Sequence, residues 1–148
     1  MIAVVALASA LTFSSCSSSN GGSSAPKYTI IGCWQLQWSD DNLDYADVYV
    51  EFNEDLTFEL YQKLQAPTHT HYTGTYLFTD GVLTGKYSDG KAWGTTYNVE
   101  IEKDVITLIS TTNPDDISVF NRCEKRFGDS DAVVASTRAA EENDVRFF

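Results

Sequence analysis

Three observations predict an all-β protein, an eight-stranded antiparallel up-and-down barrel. Turn-forming clusters recur along the chain at roughly the 8–12-residue spacing of a sandwich or barrel. The segments between them alternate apolar and polar residues with a period of two, which buries one face of a strand and wets the other. Aromatic residues make up 13% of the 148 residues, with eight Tyr and eight Phe, a composition that favours strands.

The turns are Asp40-Asp41-Asn42, Asn53-Glu54-Asp55, Asp80-Gly81, Ser88-Asp89-Gly90, Lys103-Asp104 and Asn113-Pro114-Asp115-Asp116. Eight strands are expected among them, at 31–38, 47–53, 56–65, 71–78, 82–88, 94–102, 105–112 and 117–125. In the second, Val48, Val50 and Phe52 form the apolar set. In the third, Leu56, Phe58 and Leu60 alternate with Thr57, Glu59 and Tyr61. Strands hairpinned each to the next close naturally at eight, a barrel just wide enough to be filled by side chains or to hold one small ligand. From Asp129 onward the pattern changes. Asp129, Ser130 or Asp131 can cap a helix, and the alanines and glutamates that follow favour one. Val133, Val134 and Thr137 then share a face that can pack on the barrel. A frayed tail is the other reading of 128–148.

The net charge of −11 argues against a nucleic-acid surface, which needs clustered Lys and Arg. Residues 2–13, IAVVALASALTF, are one apolar run. The run is shorter than the roughly 20 residues of a spanning helix and fits the core of a secretory signal over 1–15. The basic opening of such a signal is missing at Met1-Ile2, which places the expected start upstream, an unusual signal being the alternative. Phe13-Ser14-Ser15-Cys16 resembles the lipobox of bacterial lipoproteins. The resemblance implies that Cys16 is lipidated and becomes the mature N-terminus, its thiolate being a good nucleophile. The Ser/Gly stretch within 16–28 then serves as a flexible tether. The alternative is a cleaved signal with Cys16 incidental.

The barrel segment, 29–127, carries a second resemblance. Gly32-Cys33-Trp34 is similar to the G-x-W opening of lipocalins. Asp47 to Tyr61, and Leu83 to Gly90 followed by Trp93-Gly94, look like the lipocalin-like lipoproteins of gut Bacteroidetes. The resemblance runs from about Ile30 to Lys125 and implies a lipocalin-like barrel on an exported, lipid-anchored protein. Leu56 stands where hairpins of this family usually have Gly, which marks that turn as strained. The family also implies that Trp34 packs at the closed end under an Arg of the last strand. Arg122 fits that part, with Arg126 the other candidate. The contact is a structural cation–π pair.

If Trp34 and Arg122 point inward, Cys33 and Cys123 point outward together from the first and last strands, which adjoin in a closed barrel. A disulfide between them suits an exported protein. Two reduced cysteines are the alternative. His69 and His71 share one face of a strand, but a metal site would need further ligands, for which the sequence offers only nearby acids such as Asp41 or Asp44, so they read as polar residues of the barrel rim and no metal is expected. No Gly-rich phosphate loop and no G-x-S-x-G elbow is present. The expectation is therefore a non-enzyme with no catalytic residues and no cofactor.

The aromatics exceed what a minimal core requires. Trp38, on the Trp34 strand, is expected to face the same interior nearer the open end. Tyr76 and Tyr87 fall in inward-facing sets, and Trp93 lies beside a Gly-rich turn at the mouth. These four are the candidate lining of a small-ligand pocket. The expected function is that of a lipid-anchored protein of the bacterial envelope, at the outer membrane, binding a small, largely apolar molecule non-covalently. The rival reading is a filled barrel, acting as a structural or interaction module with a protein partner in an envelope complex.

Overall fold

The computed structural model describes residues 28–39, 46–64, 67–124, 133–135 and 145–148, with backbone alone for 133–135. The signal segment, Cys16, the tether and Arg126 lie outside them. Eight strands run up and down: β1 (Gly32–Ser39), β2 (Asp47–Phe52), β3 (Thr57–Lys63), β4 (His69–Thr79), β5 (Val82–Tyr87), β6 (Tyr97–Ile101), β7 (Val105–Ser110) and β8 (Ile117–Cys123). Each pairs antiparallel with its neighbour, and β1 pairs with β8, which closes the barrel.

The period-two pattern sets the interior. Val48, Val50 and Phe52 of β2, Phe58 and Leu60 of β3, Ile106 and Leu108 of β7 and Phe120 of β8 are fully buried. Their removal from water is the main force holding the barrel. In the β2–β3 turn, Asn53 N–H donates to Thr57 O and Leu56 N–H to Asn53 O. This is a type I turn ending in a left-handed residue, and that residue is Leu56, at φ +65°. The turn after β5 repeats the pattern, with Tyr87 N–H on Lys91 O and Gly90 N–H on Tyr87 O. There Gly90, at φ +95°, holds the strained position.

At one end of the barrel Trp34 is fully buried, and the Arg122 guanidinium lies 4.1 Å from its ring. Arg122 also donates to Ile31 O and Thr29 O, each at 3.1 Å, and Trp34 Nε1 donates to Ile30 O at 2.7 Å. One residue thus ties the entering chain to the last strand and caps the core. On the other side of the same two strands Cys33 pairs with Cys123, Cα to Cα 5.3 Å, and a disulfide joins them.

Trp38 requires a correction. Leu36 pairs with Phe120 but Trp38 pairs with Val119, so Gln37 is an extra residue in β1. Such a bulge reverses the alternation of inward and outward faces. Trp38 therefore turns outward, at 52% exposure. The tail also departs from the helical expectation at Val133 and Val134. Val133–Ala135 forms a ninth strand, β9, parallel to β4 at His69–His71. That part of β4 extends beyond its pairing with β5, which begins at Gly74. Backbone pairing along that edge outweighs the weak helical preference of a Val-Val step.

Candidate functional site

At the end of the barrel opposite Trp34 and Arg122, aromatic side chains from four elements converge. Phe58 of β3, Tyr72 of β4, Tyr87 of β5 and Tyr97 of β6 line the wall. Trp93 reaches into them from the β5–β6 connection and is 6% exposed. Its indole packs on Gly85, where a β-carbon would collide with the ring. Phe58 meets Tyr87 and Trp93 edge to face at 5.6 and 5.2 Å.

The chamber so formed is occupied. Phe148 lies in it, 6% exposed, stacked on Trp93 at 4.3 Å and meeting Tyr97 edge to face at 5.9 Å. Phe147 packs on Phe120 at 5.7 Å. The segment 145–148 is also held through its main chain. Gln62 Nε2 donates to Val145 O at 2.7 Å, and Phe147 N–H donates to Gln62 Oε1 at 2.8 Å. Gln62 is 4% exposed and stands with Phe58 and Leu60 in the inward set of β3, a place an amide can take because it is matched on both sides. Tyr87 Oη donates to the Phe148 main-chain oxygen at 3.0 Å. Burial pushes the Tyr87 hydroxyl far up from its usual value, so it remains a donor.

Arg146 completes the hold. Its two terminal nitrogens donate to the two carboxylate oxygens of Asp89, at 3.2 and 2.6 Å. The guanidinium lies 4.5 Å from the Tyr87 ring and 4.9 Å from that of Tyr72, and the side chain is only 7% exposed. The Arg146 hydrogen bonds, with a smaller contribution from the Lys91 N–H, hold the Asp89 carboxyl down at about 2. One polar group in the chamber lacks a partner: among the described residues no atom accepts from the buried Trp93 Nε1.

The four lining candidates thus separate. Tyr87 and Trp93 meet in the chamber, and Trp38 is outside. Tyr76 lies toward the closed end, its hydroxyl on Asn53 O at 2.8 Å. It borders an apolar cleft of about 380 Å³, together with Tyr28, Ile30, Leu56 and Phe78. His69 and His71 of β4 face carboxylates of β2 and β3, Asp47 at 3.0 Å and Glu59 at 3.3 Å. Among the described residues no group of three or more His, Cys, Asp or Glu could hold a metal ion. Sequence reasoning missed Gln62, Asp89 and 146–148. The available signal was Arg146-Phe147-Phe148, a basic and aromatic run one residue after the acidic Glu141-Glu142-Asn143-Asp144.

A closed meander of eight strands, capped at one end by a Trp–Arg pair and holding an aromatic chamber at the other, defines a small antiparallel β-barrel. A family model described as a lipocalin-like domain matches residues 30–108, and the chain belongs to that family. The match ends within β7, so β8, with Arg122 and Cys123, lies beyond it. No curated protein and no solved structure matches the chain significantly.

Proposed function

We propose that the protein binds a small, largely apolar, ring-bearing molecule non-covalently in the chamber around Trp93, where the ligand takes the place of Phe148. The observation that carries this reading is the source of the present occupant. The ring filling the chamber comes from a separate short segment and not from the barrel strands, so it can leave without breaking a strand pairing. The buried Trp93 N–H, which has no acceptor among the described residues, supports a ligand with one hydrogen-bond acceptor, since a buried donor without a partner costs about 1–3 kcal/mol. The role is binding, with no catalytic step.

Calorimetric titration of the full-length protein with acetophenone, a ring bearing one carbonyl acceptor, tests this reading. Saturable binding is expected, at least tenfold tighter to Phe148→Ala than to the wild type, and tighter than that of ethylbenzene, which lacks the acceptor. Absence of saturable binding to both folded proteins contradicts it.

The proposed setting is the bacterial envelope, with Cys16 lipidated and the barrel held at the outer membrane. The order of apolar run, small residues, cysteine and Ser/Gly tether supports it. Cys16→Ser should move the protein from the membrane fraction to the soluble fraction; retention on the membrane contradicts the anchor.

A second reading, an interaction module with an envelope protein as partner, is favoured by the closed end. There Trp34 and Phe52 are fully buried, while Leu56 is 48% and Tyr28 38% exposed beside the apolar cleft. Leu56→Glu should abolish partner capture under that reading and leave acetophenone binding intact.

A further inference from the structure

We infer that the chamber is a peptide-recognition site, built to take an extended segment of another protein in which an arginine is followed by two aromatic residues. The inference deepens the ligand-binding reading of the same chamber and rests on it. Each part of 145–148 is met by a group suited to a peptide. The Gln62 amide both donates to and accepts from the main chain, at Val145 O and Phe147 N–H, as a neighbouring strand would. Asp89 takes the guanidinium through two parallel hydrogen bonds, a geometry that selects Arg over Lys. Tyr72 and Tyr87 flank that guanidinium with their rings. Trp93 and Phe58 receive the final ring.

Gln62 is the most telling residue. A glutamine in the inward set of a barrel strand is costly to bury unless both ends of its amide are matched. A small apolar ligand offers it nothing, whereas a peptide main chain offers both a donor and an acceptor. Asp89 argues the same way, because an apolar ligand cannot replace the guanidinium that meets both of its carboxylate oxygens. The segment 145–148 then acts as the internal counterpart that a competing peptide displaces.

The test uses the full chain with its own segment loosened by Arg146→Ala and Phe148→Ala together. A fluorophore-labelled Val-Arg-Phe-Phe peptide is added and its fluorescence polarisation followed. Saturable binding is expected, at least tenfold tighter than to the wild type. A Val-Glu-Phe-Phe peptide should bind at least tenfold more weakly, and adding Asp89→Ala should erase that preference. If the double variant does not give the far-ultraviolet circular dichroism of the wild type, Arg146→Gln alone replaces it, since it leaves both phenylalanines in the core. Equal binding of the Arg and Glu peptides by a folded variant overturns the inference, as does the absence of saturable binding. If acetophenone binds where the peptide does not, the peptide inference falls and the small-ligand reading stands. A wild type that sediments as a dimer, with no peptide bound by the loosened variant, assigns the site to exchange of 145–148 between copies and also overturns it.

Discussion

The phenyl ring of Phe148 lies 4.3 Å from the indole of Trp93 and within 18° of parallel to it. Trp93 in turn rests on Gly85, where no larger residue fits. The centre of the chamber is thus a stack of two rings on a bare strand, and only one of the rings belongs to the barrel wall and its connections.

Phe148→Ala should therefore destabilise the protein as a core truncation does, by about 3 kcal/mol. Urea denaturation read by circular dichroism measures the loss. Tryptophan emission should shift to the red as water reaches Trp93. An unchanged midpoint and unchanged emission would show that Phe148 does not fill the chamber.

The Arg146–Asp89 pair predicts a dependence on pH. The Asp89 carboxyl sits at about 2 in the folded protein against an ordinary value of 3.8. A lowered folded value means that the contribution is fully present above the ordinary value and is lost as pH falls through the folded one. The hold on 145–148 should accordingly weaken between about pH 4 and 2. In Asp89→Asn that step in stability should be missing from an acid series of denaturation midpoints.

Leu56 offers a gain. It holds the left-handed position that Gly90 holds in the matching turn after β5, and a side chain there costs roughly 1–2 kcal/mol. Glycine loses more freedom on folding, which offsets part of the relief. Leu56→Gly should raise stability by about 0.5–1 kcal/mol. A lower denaturation midpoint would show that the Leu56 side chain contributes more at the closed end than its backbone costs.

The disulfide spans 90 residues of sequence and joins the first strand to the last. Removing it by Cys33→Ser with Cys123→Ser should cost about 2–5 kcal/mol. Thiol titration of the denatured, unreduced chain should find neither Cys33 nor Cys123 free. Two titrating thiols from these positions would contradict the bridge.

Most of the barrel can be read from the sequence because the physics is local. Val48, Val50 and Phe52 announce an inward face by spacing alone, and Asp80-Gly81 announces a turn by residue type. Trp38 was misread because one extra residue, Gln37, reverses the alternation, and a bulge leaves no mark in a period-two pattern. Val133 and Val134 were misread because the edge of β4 that they pair with exists only in the folded sheet. The capture of Phe148 is harder still. Two adjacent phenylalanines fit neither helical nor strand periodicity, and Gln62 looks out of place until its partners arrive from 83 and 85 residues away. Tertiary contacts of that separation are invisible to any local window.

The central claim is that the chamber around Trp93 is a binding site whose occupant exchanges with Phe148. Native mass spectrometry of the full-length protein, wild type and Phe148→Ala, purified gently from its own host, tests it most directly. The account predicts a co-purifying molecule of defined mass, at higher occupancy in Phe148→Ala. The bare protein mass alone, in both proteins, would contradict it and leave a barrel filled for good by its own chain.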